Sequence, residues 1–115
     1  MAAIEREVRV YRTPDRREPF NLWLDRLRDA RAVQKIQARI ARIRVGNLGQ
    51  TRSVGEGVHE LKVDHGPGYR VYFAQDGQML VILLCGGDKR TQDADIRTAK
   101  QYWAQYKQEK GNANR

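Results

Sequence analysis

The stretch that decides the fold runs from Val58 to Gln92 and reads VHELKVDHGPGYRVYFAQDGQMLVILLCGGDKRTQ. Apolar and polar side chains alternate through Val58–Val63 and Tyr69–Ala74, whereas Met79–Cys85 is continuously apolar. Alternation is typical of strands with one buried face, and an unbroken apolar run is typical of a strand covered on both faces. Short glycine-containing turns separate the three segments, so we predict three consecutive antiparallel strands with the last one in the centre.

The residues before this stretch predict one further strand and two helices. Glu5–Arg12 alternates like a strand, and Pro19 stands at the first position of a short helix. The apolar stripe of this helix consists of Phe20, Trp23, Leu24 and Leu27. A second helix is expected from Ala30 to Val45, with Asp29 as its N-cap and Gly46 as its stop. Residues 47–57 are rich in glycine and are predicted to form a loop.

A final helix is expected after the central strand, with Thr91 or Asp93 as its cap. Its buried stripe consists of Ile96, Ala99, Trp103 and Tyr106. The predicted fold class is therefore α+β, in the order β-α-α-β-β-β-α, with a mainly antiparallel sheet packed by helices. Residues 1–110 form one domain, and residues 111–115 are expected to be a frayed polar tail.

Composition favours a polyanionic partner. The chain of 115 residues has a formal net charge of +8 and a pI near 10.1. No segment reaches the ~20 apolar residues of a membrane span, and the charged N-terminus does not resemble a signal peptide. The single cysteine, Cys85, is interpreted as a small buried hydrophobe. We therefore expect a cytoplasmic protein with no membrane association.

Several basic side chains fall on what could be one surface. The pleat places Glu60 and Lys62 on the face opposite Leu61, and it places Arg70 and Tyr72 on the same opposite face of the next strand. Lys89 and Arg90 follow where the central strand ends, a common location for functional residues. These side chains could equally be ordinary solvated residues on an open sheet face.

The second predicted helix carries a stripe of one sign of charge. From Ala30 to Val45 it contains five basic residues and no acidic residue. The stripe consists of Arg31, Lys35, Arg39 and Arg42 at helical spacing, together with Arg28 just before the helix. Solvated helix faces normally mix charges, so an unmixed stripe favours a surface that contacts phosphates.

Other chemistry has weaker support. His65 lies in a predicted turn and could act as a general acid or base, although a turn histidine without a role is more common. Two histidines and one cysteine so far apart give no metal-ligand spacing, and no phosphate-binding glycine loop is present. We expect no metal and no cofactor.

The chain resembles the RelE/ParE superfamily of bacterial toxins and, within it, the HigB-like branch of addiction module killer proteins. The resemblance runs from about Val10 to Trp103 and rests on four motifs in order. They are GNLG (residues 46–49), GVHELK (57–62), GPGYRVYF (66–73) and LLCGGDKRTQ (83–92), the last followed by Asp95-Ile96. Each motif is weak alone, but their order and spacing make a specific signal.

The resemblance implies the toxin of a type II toxin–antitoxin system. RelE-like members enter the ribosomal A site and cleave mRNA, with the 2′-hydroxyl attacking the adjacent phosphate. By resemblance, Lys62 matches a catalytic lysine, Arg70 the arginine of the Gly-Tyr-Arg motif, and Arg90 an arginine just past the central strand. Arg70 and Arg90 would then stabilise the phosphorane while a desolvated Lys62 acts as base. The implied partners are the ribosome, mRNA and a HigA-like helix-turn-helix antitoxin.

Two departures from the family pattern leave alternatives open. Glu60 stands where some RelE-like members have a second lysine, and Ile96 stands where they have a base-stacking tyrosine. Tyr72 or His65 could compensate, with Tyr72 as an RNA contact. One alternative is a ParE-like inhibitor of DNA gyrase that cleaves no RNA. Another is a degenerate toxin that acts only as a nucleic-acid or antitoxin binding module.

Overall fold

A computed structural model describes residues 5–113, without the side chain of Ala113. Residues 1–4 lie outside the described residues, and so does most of the stretch on which the signal-peptide expectation depends. The elements in chain order are β1 (Glu7–Val10), α1 (Pro19–Arg26), α2 (Ala30–Arg44), β2 (Thr51–Gly55), β3 (Val58–Val63), β4 (Tyr69–Asp76), β5 (Leu80–Asp88), a 3-10 turn (Lys89–Thr91) and α3 (Gln92–Ala113). Within the described residues, no helix is long and apolar enough to cross a membrane.

The strands form one mixed sheet in the order β1-β5-β4-β3-β2. β1 runs parallel to β5, and the other neighbouring pairs are antiparallel. The predicted α+β class with a mainly antiparallel sheet is confirmed, as is the antiparallel meander of β3, β4 and β5. β5 has neighbours on both sides and is buried on both faces from Val81 to Cys85, as its continuous apolar run predicts.

The predicted loop at residues 47–57 was wrong in part, because it contains strand β2. β2 pairs antiparallel with β3, and its register shifts between Ser53 and Gly55. Its sequence is mostly polar, and its side chains are half-buried or exposed. An edge strand of this kind is stabilised by backbone hydrogen bonds to its neighbour rather than by burial, so the apolar pattern does not reveal it. The observed order is β-α-α-β-β-β-β-α.

Helices cover the sheet on both faces and create two cores. The first core lies under α1 and α2 and includes Phe20, Ile36, Ile40, Ile43, Leu61, Val63, Tyr69, Val71 and Phe73. The second lies under α3 and includes Tyr11, Val58, Tyr72, Ala74, Ile82, Leu84, Ala99 and Trp103. The face that carries Glu60, Arg70 and Tyr72 is therefore not an open, solvated surface.

Two adjacent glycines let helices approach β5 from opposite sides. A Cβ on Gly86 would lie 2.2 Å from the Trp23 ring of α1, and a Cβ on Gly87 would lie 1.8 Å from Asp95 Oδ2 of α3. Both distances are far below van der Waals contact, so a side chain at position 86 would displace the Trp23 ring and one at position 87 would displace the Asp95 carboxylate. The Gly86-Gly87 pair thereby sets where α1 and α3 pack at the end of β5.

The observed ends of α2 and α3 confirm the predicted cap of α2 but differ from the prediction at the C-terminus of α3. Asp29 caps α2 as predicted, because its side chain accepts from the backbone N–H groups of Arg31 and Ala32. α3 begins at Gln92, the start that a cap at Thr91 predicts, but a 3-10 turn that was not predicted, with Asp88 as its cap, leads directly into it. α3 also continues past Gly111 to Ala113, where a frayed tail was expected. Residues 114–115 of that expected tail lie outside the described residues.

Candidate functional site

Strand pairing brings the predicted cations together at one end of the sheet. Lys62 of β3 stands opposite Arg70 of β4, and Arg70 stands opposite Gly87 of β5. Directly opposed side chains on one sheet face lie about 5 Å apart at Cβ. Lys89 follows just after β5. These side chains border a groove of about 440 Å³, here called the first groove, which is lined by Lys62, residues 64–68, Arg70 and Lys89.

The turn between β3 and β4 forms one wall of the first groove. Gly66 and Gly68 adopt φ values of 54° and 81°, a region that favours glycine. The Gly68 N–H donates to the His65 carbonyl over 3.0 Å, which closes the turn. The Gly68 carbonyl accepts a hydrogen bond from Arg70 Nη1 over 3.0 Å. The turn therefore fixes the guanidinium of Arg70 at the groove edge.

Arg70 is an almost fully buried cation. Its relative exposure is 6%. Its Nε lies 3.7 Å from Glu60 Oε2, beyond hydrogen-bond distance, and has no hydrogen-bond partner within the described residues. Such a buried guanidinium depends on nearby negative charge. Glu60 supplies that charge.

Glu60 is the centre of a buried hydrogen-bond network, with 4% exposure. Its carboxylate accepts from Arg52 Nε of β2 (2.8 Å), from the Tyr72 hydroxyl of β4 (3.1 Å) and from Gln92 Nε2 of α3 (2.9 Å). Burial alone would raise the pKa of Glu60, but the hydrogen bonds from Arg52, Gln92 and Tyr72 outweigh it and lower that pKa. Glu60 is thus a buried anion that joins three strands and a helix.

The Lys62 side chain is exposed to solvent, whereas a desolvated side chain was predicted. Its side chain is 53% exposed, and its Nζ lies 3.4 Å from Asp64 Oδ1. The expectation of a desolvated Lys62 was therefore wrong, so the structure does not supply the burial on which its expected role as base depended.

His65 is held in the first groove by a carboxylate from α2. His65 Nε2 lies 2.8 Å from Asp29 Oδ2, while Asp29 Oδ1 caps the helix. The hydrogen bond from His65, followed by the backbone hydrogen bond from Ala32, lowers the pKa of Asp29. A carboxylate that binds one ring nitrogen orients the imidazole and leaves the other nitrogen for proton transfer. The structure thus gives His65 a partner that the sequence did not indicate.

The structure does not place Arg90 in the first groove. Its side chain is 83% exposed, and its Nη2 donates to Asp88 Oδ2 over 3.1 Å. It borders a separate depression together with Lys89 and Arg97. Of the two consecutive cations after β5, only Lys89 lines the groove shared by Lys62 and Arg70.

The basic stripe of α2 runs beside the site, but its members are not equivalent. Arg31, Lys35 and Arg42 are exposed. Arg39 is half-buried, and its Nη1 donates to the Lys62 carbonyl over 3.1 Å. Its burial, and then the nearby charge of Arg42, lower the pKa of Arg39. Arg39 therefore ties α2 to β3, whereas the exposed members remain free to meet phosphates.

Tyr72 cannot serve as the predicted RNA contact in this structure. It is fully buried in the second core, and its hydroxyl donates to Glu60. Burial, and then the charge of Glu60, raise the pKa of Tyr72. Ile96 also packs against that core. Tyr72 therefore supports the Glu60 network instead of offering a ring for base stacking.

A second groove, of about 360 Å³, lies beside the first and was missed by sequence reasoning. It is lined by residues 50–52, Glu60, Lys62, Arg70 and Gln92. Lys62 and Arg70 border both grooves. Arg52 and Gln92 were overlooked because Arg52 lies in the predicted loop and Gln92 was assigned no role. If β2 had been predicted, its pairing with β3 would have placed Arg52 opposite Glu60 and indicated an ion pair between them.

The first groove has the chemistry of an oxyanion site. It combines three cations, Lys62, Arg70 and Lys89, with a carboxylate-bound imidazole and the single acidic side chain of Asp64. Arginine and lysine side chains bind phosphate oxygens, and a fixed cation can stabilise charge that develops in a reaction. The arrangement can hold a phosphodiester and move a proton beside it.

Comparison with known proteins finds a family whose sequence model matches this chain and one similar protein. The sequence model of the phage-derived protein Gp49-like (DUF891) family matches residues 23–104. This is a toxin-type family of toxin–antitoxin systems that belongs broadly to the RelE/HigB-like group, and it implies an antitoxin partner. An uncharacterized protein of Haemophilus influenzae is 54% identical over 81 residues, which cover 70% of this chain and 82% of the relative. No solved structure matches the chain.

Proposed function

The chain belongs to the phage-derived Gp49-like family, and on that premise we propose that it is a HigB-like toxin that cleaves mRNA on the ribosome. The observation that carries the proposal is the first groove, which is lined by Lys62, Arg70, Lys89 and His65. Basic side chains that surround an oriented imidazole match the needs of phosphodiester cleavage by an internal 2′-hydroxyl. No metal or cofactor is required for this reaction.

In the proposed reaction, Arg70 and Lys89 bind the non-bridging oxygens of the scissile phosphate. His65, oriented by Asp29 over 2.8 Å, accepts the proton of the 2′-hydroxyl as its oxygen attacks phosphorus. The bond from phosphorus to the 5′ oxygen breaks, and this oxygen takes a proton from the Lys62 ammonium. The products are a 2′,3′-cyclic phosphate and a 5′-hydroxyl.

Arg90 takes a different role from the one that the family resemblance implies. Because Arg90 is exposed and borders the adjoining depression with Arg97, we assign it to the next phosphate along the RNA. The exposed members of the α2 stripe, Arg31, Lys35 and Arg42, would contact ribosomal RNA. Action on ribosomes places the protein in the cytoplasm.

A toxin of this kind requires neutralisation by a partner. We propose a HigA-like helix-turn-helix antitoxin whose acidic segment covers the first groove or the α2 stripe, since opposite charge accelerates encounter. Co-expression of the neighbouring reading frame tests this partner. Binding together with restored growth is expected. A neighbouring product that neither binds nor protects would contradict it.

The decisive experiment is primer extension on a defined mRNA incubated with ribosomes and purified protein. Cleavage is expected for the natural chain and is expected to fall on the order of 10²-fold or more for Lys62→Ala and for His65→Ala. Arg9→Ala is a matched control, because Arg9 is an exposed cation on β1, at the opposite edge of the sheet from β2. It should cleave normally.

The same protein preparation distinguishes the alternative functions. Absence of cleavage together with inhibition of gyrase supercoiling would replace the ribonuclease with a ParE-like gyrase inhibitor. Absence of both, with antitoxin binding retained, would leave a binding module. Either result would overturn the proposed function.

A further inference from the structure

The second groove shares two cations with the first but differs from it in chemistry. Lys62 and Arg70 line both grooves, so a ligand phosphate held between them has the second groove directly beside it. The other side chains of the second groove include Gln50, Thr51 and Gln92. Amides and hydroxyls both donate and accept hydrogen bonds, as the edges of nucleobases require.

Arg52 provides a fixed, exposed planar surface at this groove. Its side chain is 60% exposed, yet its Nε donates to Glu60 Oε1 over 2.8 Å. Glu60 is itself immobilised by hydrogen bonds from Tyr72 and Gln92. Surface ion pairs usually lose much of their strength to side-chain entropy, but here one partner is buried and already ordered. The guanidinium of Arg52, which lines the second groove, is therefore held in place while most of its side chain remains exposed.

We propose that the second groove binds one nucleobase next to the phosphate in the first groove, and that this base stacks on the Arg52 guanidinium. The inference rests on the proposed function and adds a base subsite to it. A groove of about 360 Å³ is large enough for a single base. None of its lining residues is aromatic, and a planar arginine is a recognised stacking surface for unpaired RNA bases. Arg52 is thus a base-stacking residue rather than one more phosphate contact.

The test separates stacking from charge by replacing Arg52 with lysine, which keeps the charge and removes the plane. Binding is measured by fluorescence anisotropy with a short 2′-O-methyl RNA, which cannot be cleaved, and with versions that carry one abasic nucleotide at each position in turn. Arg9→Lys is the matched control, because Arg9 Nε also donates to a carboxylate, that of Glu7 over 2.7 Å, on the strand at the opposite edge of the sheet. Thermal unfolding of each variant checks that the fold is retained.

For the natural chain, one abasic position is expected to weaken binding by about tenfold, the effect of losing one stacked base. Arg52→Lys should abolish this penalty and leave the salt dependence unchanged, whereas Arg9→Lys should alter neither. Equal affinity for intact and abasic RNA at every position would overturn the subsite, while salt-dependent binding and ribosomal cleavage would leave the proposed function standing. If Arg52→Lys loses as much affinity for abasic RNA as the natural chain does, the base does not stack on Arg52. Absence of both RNA binding and cleavage would overturn the proposed function itself.

Discussion

The Nε of Arg70 lies 3.7 Å from Oε2 of Glu60, and both side chains are almost completely buried. A cation of the first groove is therefore also part of the network that joins β2, β3, β4 and α3. Removing one member of a buried pair leaves an uncompensated charge, which costs more than the net value of the pair itself. Stability and activity are consequently coupled at Arg70, and they are separable at exposed Lys62.

The first prediction compares Arg70→Ala with Lys62→Ala. Arg70→Ala should lose cleavage and also about 3–5 kcal/mol of unfolding free energy, because Glu60 loses a buried counter-charge. Lys62→Ala should lose cleavage with a change within about 0.5 kcal/mol, because its side chain is 53% exposed. Urea denaturation and primer extension measure the two effects. Equal denaturation midpoints for Arg70→Ala and the natural chain would contradict the role of the pair.

The second prediction concerns the α2 stripe. Lys35→Gln and Arg42→Gln should each lower the slope of log affinity against log salt for binding to ribosomes by roughly 0.7 to 0.9, the value for one lost phosphate contact. Arg39→Gln should mainly reduce stability, because Arg39 donates to the Lys62 carbonyl. Binding titrations at several salt concentrations give the slopes. Unchanged slopes for Lys35→Gln and Arg42→Gln would show that the stripe is only a solvated face.

The third prediction tests the close approach of α1 to β5. Gly86→Ala should destabilise the protein by about 1–3 kcal/mol, since its new Cβ would lie 2.2 Å from the Trp23 ring. Gly111→Ala is the matched control, because Gly111 lies within α3 and a Cβ there would meet nothing within 4 Å. Alanine in a helix should stabilise by about 0.5–1 kcal/mol relative to glycine. Thermal unfolding should therefore shift in opposite directions for the two variants.

The fourth prediction is a pH dependence that originates at Glu60. Burial alone would raise the pKa of Glu60 above its ordinary value of 4.5, but the hydrogen bonds from Arg52, Gln92 and Tyr72 outweigh burial and hold the pKa below that value. The contribution of the carboxylate to stability is complete above the ordinary value and is lost as pH falls through the folded value.

Glu60→Gln should therefore be less stable than the natural chain near neutral pH, and the difference should shrink as the pH is lowered below 4.5. Urea denaturation of both proteins from neutral pH to about pH 3 measures this difference. If the difference in unfolding free energy between the two proteins stays constant over this pH range, the charge of Glu60 contributes nothing to stability.

Much of the fold follows from local pattern. The alternation in Val58–Val63 and Tyr69–Ala74, the apolar run that follows, and the intervening turns place three strands within a few residues of their observed bounds. Asp29 as cap and the apolar stripe of α2, which consists of Val33, Ile36, Ile40 and Ile43, likewise identify that helix. These features are local, because side-chain periodicity and capping depend on neighbours in the chain.

The remaining features depend on contacts between distant segments. β2 is a strand because it pairs with β3, and its polar sequence carries no such signal. Lys89 lines the first groove and Arg90 does not. Asp88 caps the 3-10 turn and also accepts a hydrogen bond from the Arg90 side chain, which holds that side chain outside the groove. The periodicity of β3 and β4 predicts that Glu60, Arg70 and Tyr72 share one face, but their burial depends on the packing of distant segments over that face.

By itself, the sequence determined every described strand except β2, the helices, and the cations of β3 and β4 that share a sheet face, because these properties repeat with the backbone geometry of each segment. Only the tertiary structure decided that α3 and β2 enclose the Glu60 carboxylate, that Arg70 is buried and that Lys62 is exposed. Burial and charge compensation arise from groups that meet in space after folding, and no local pattern specifies them.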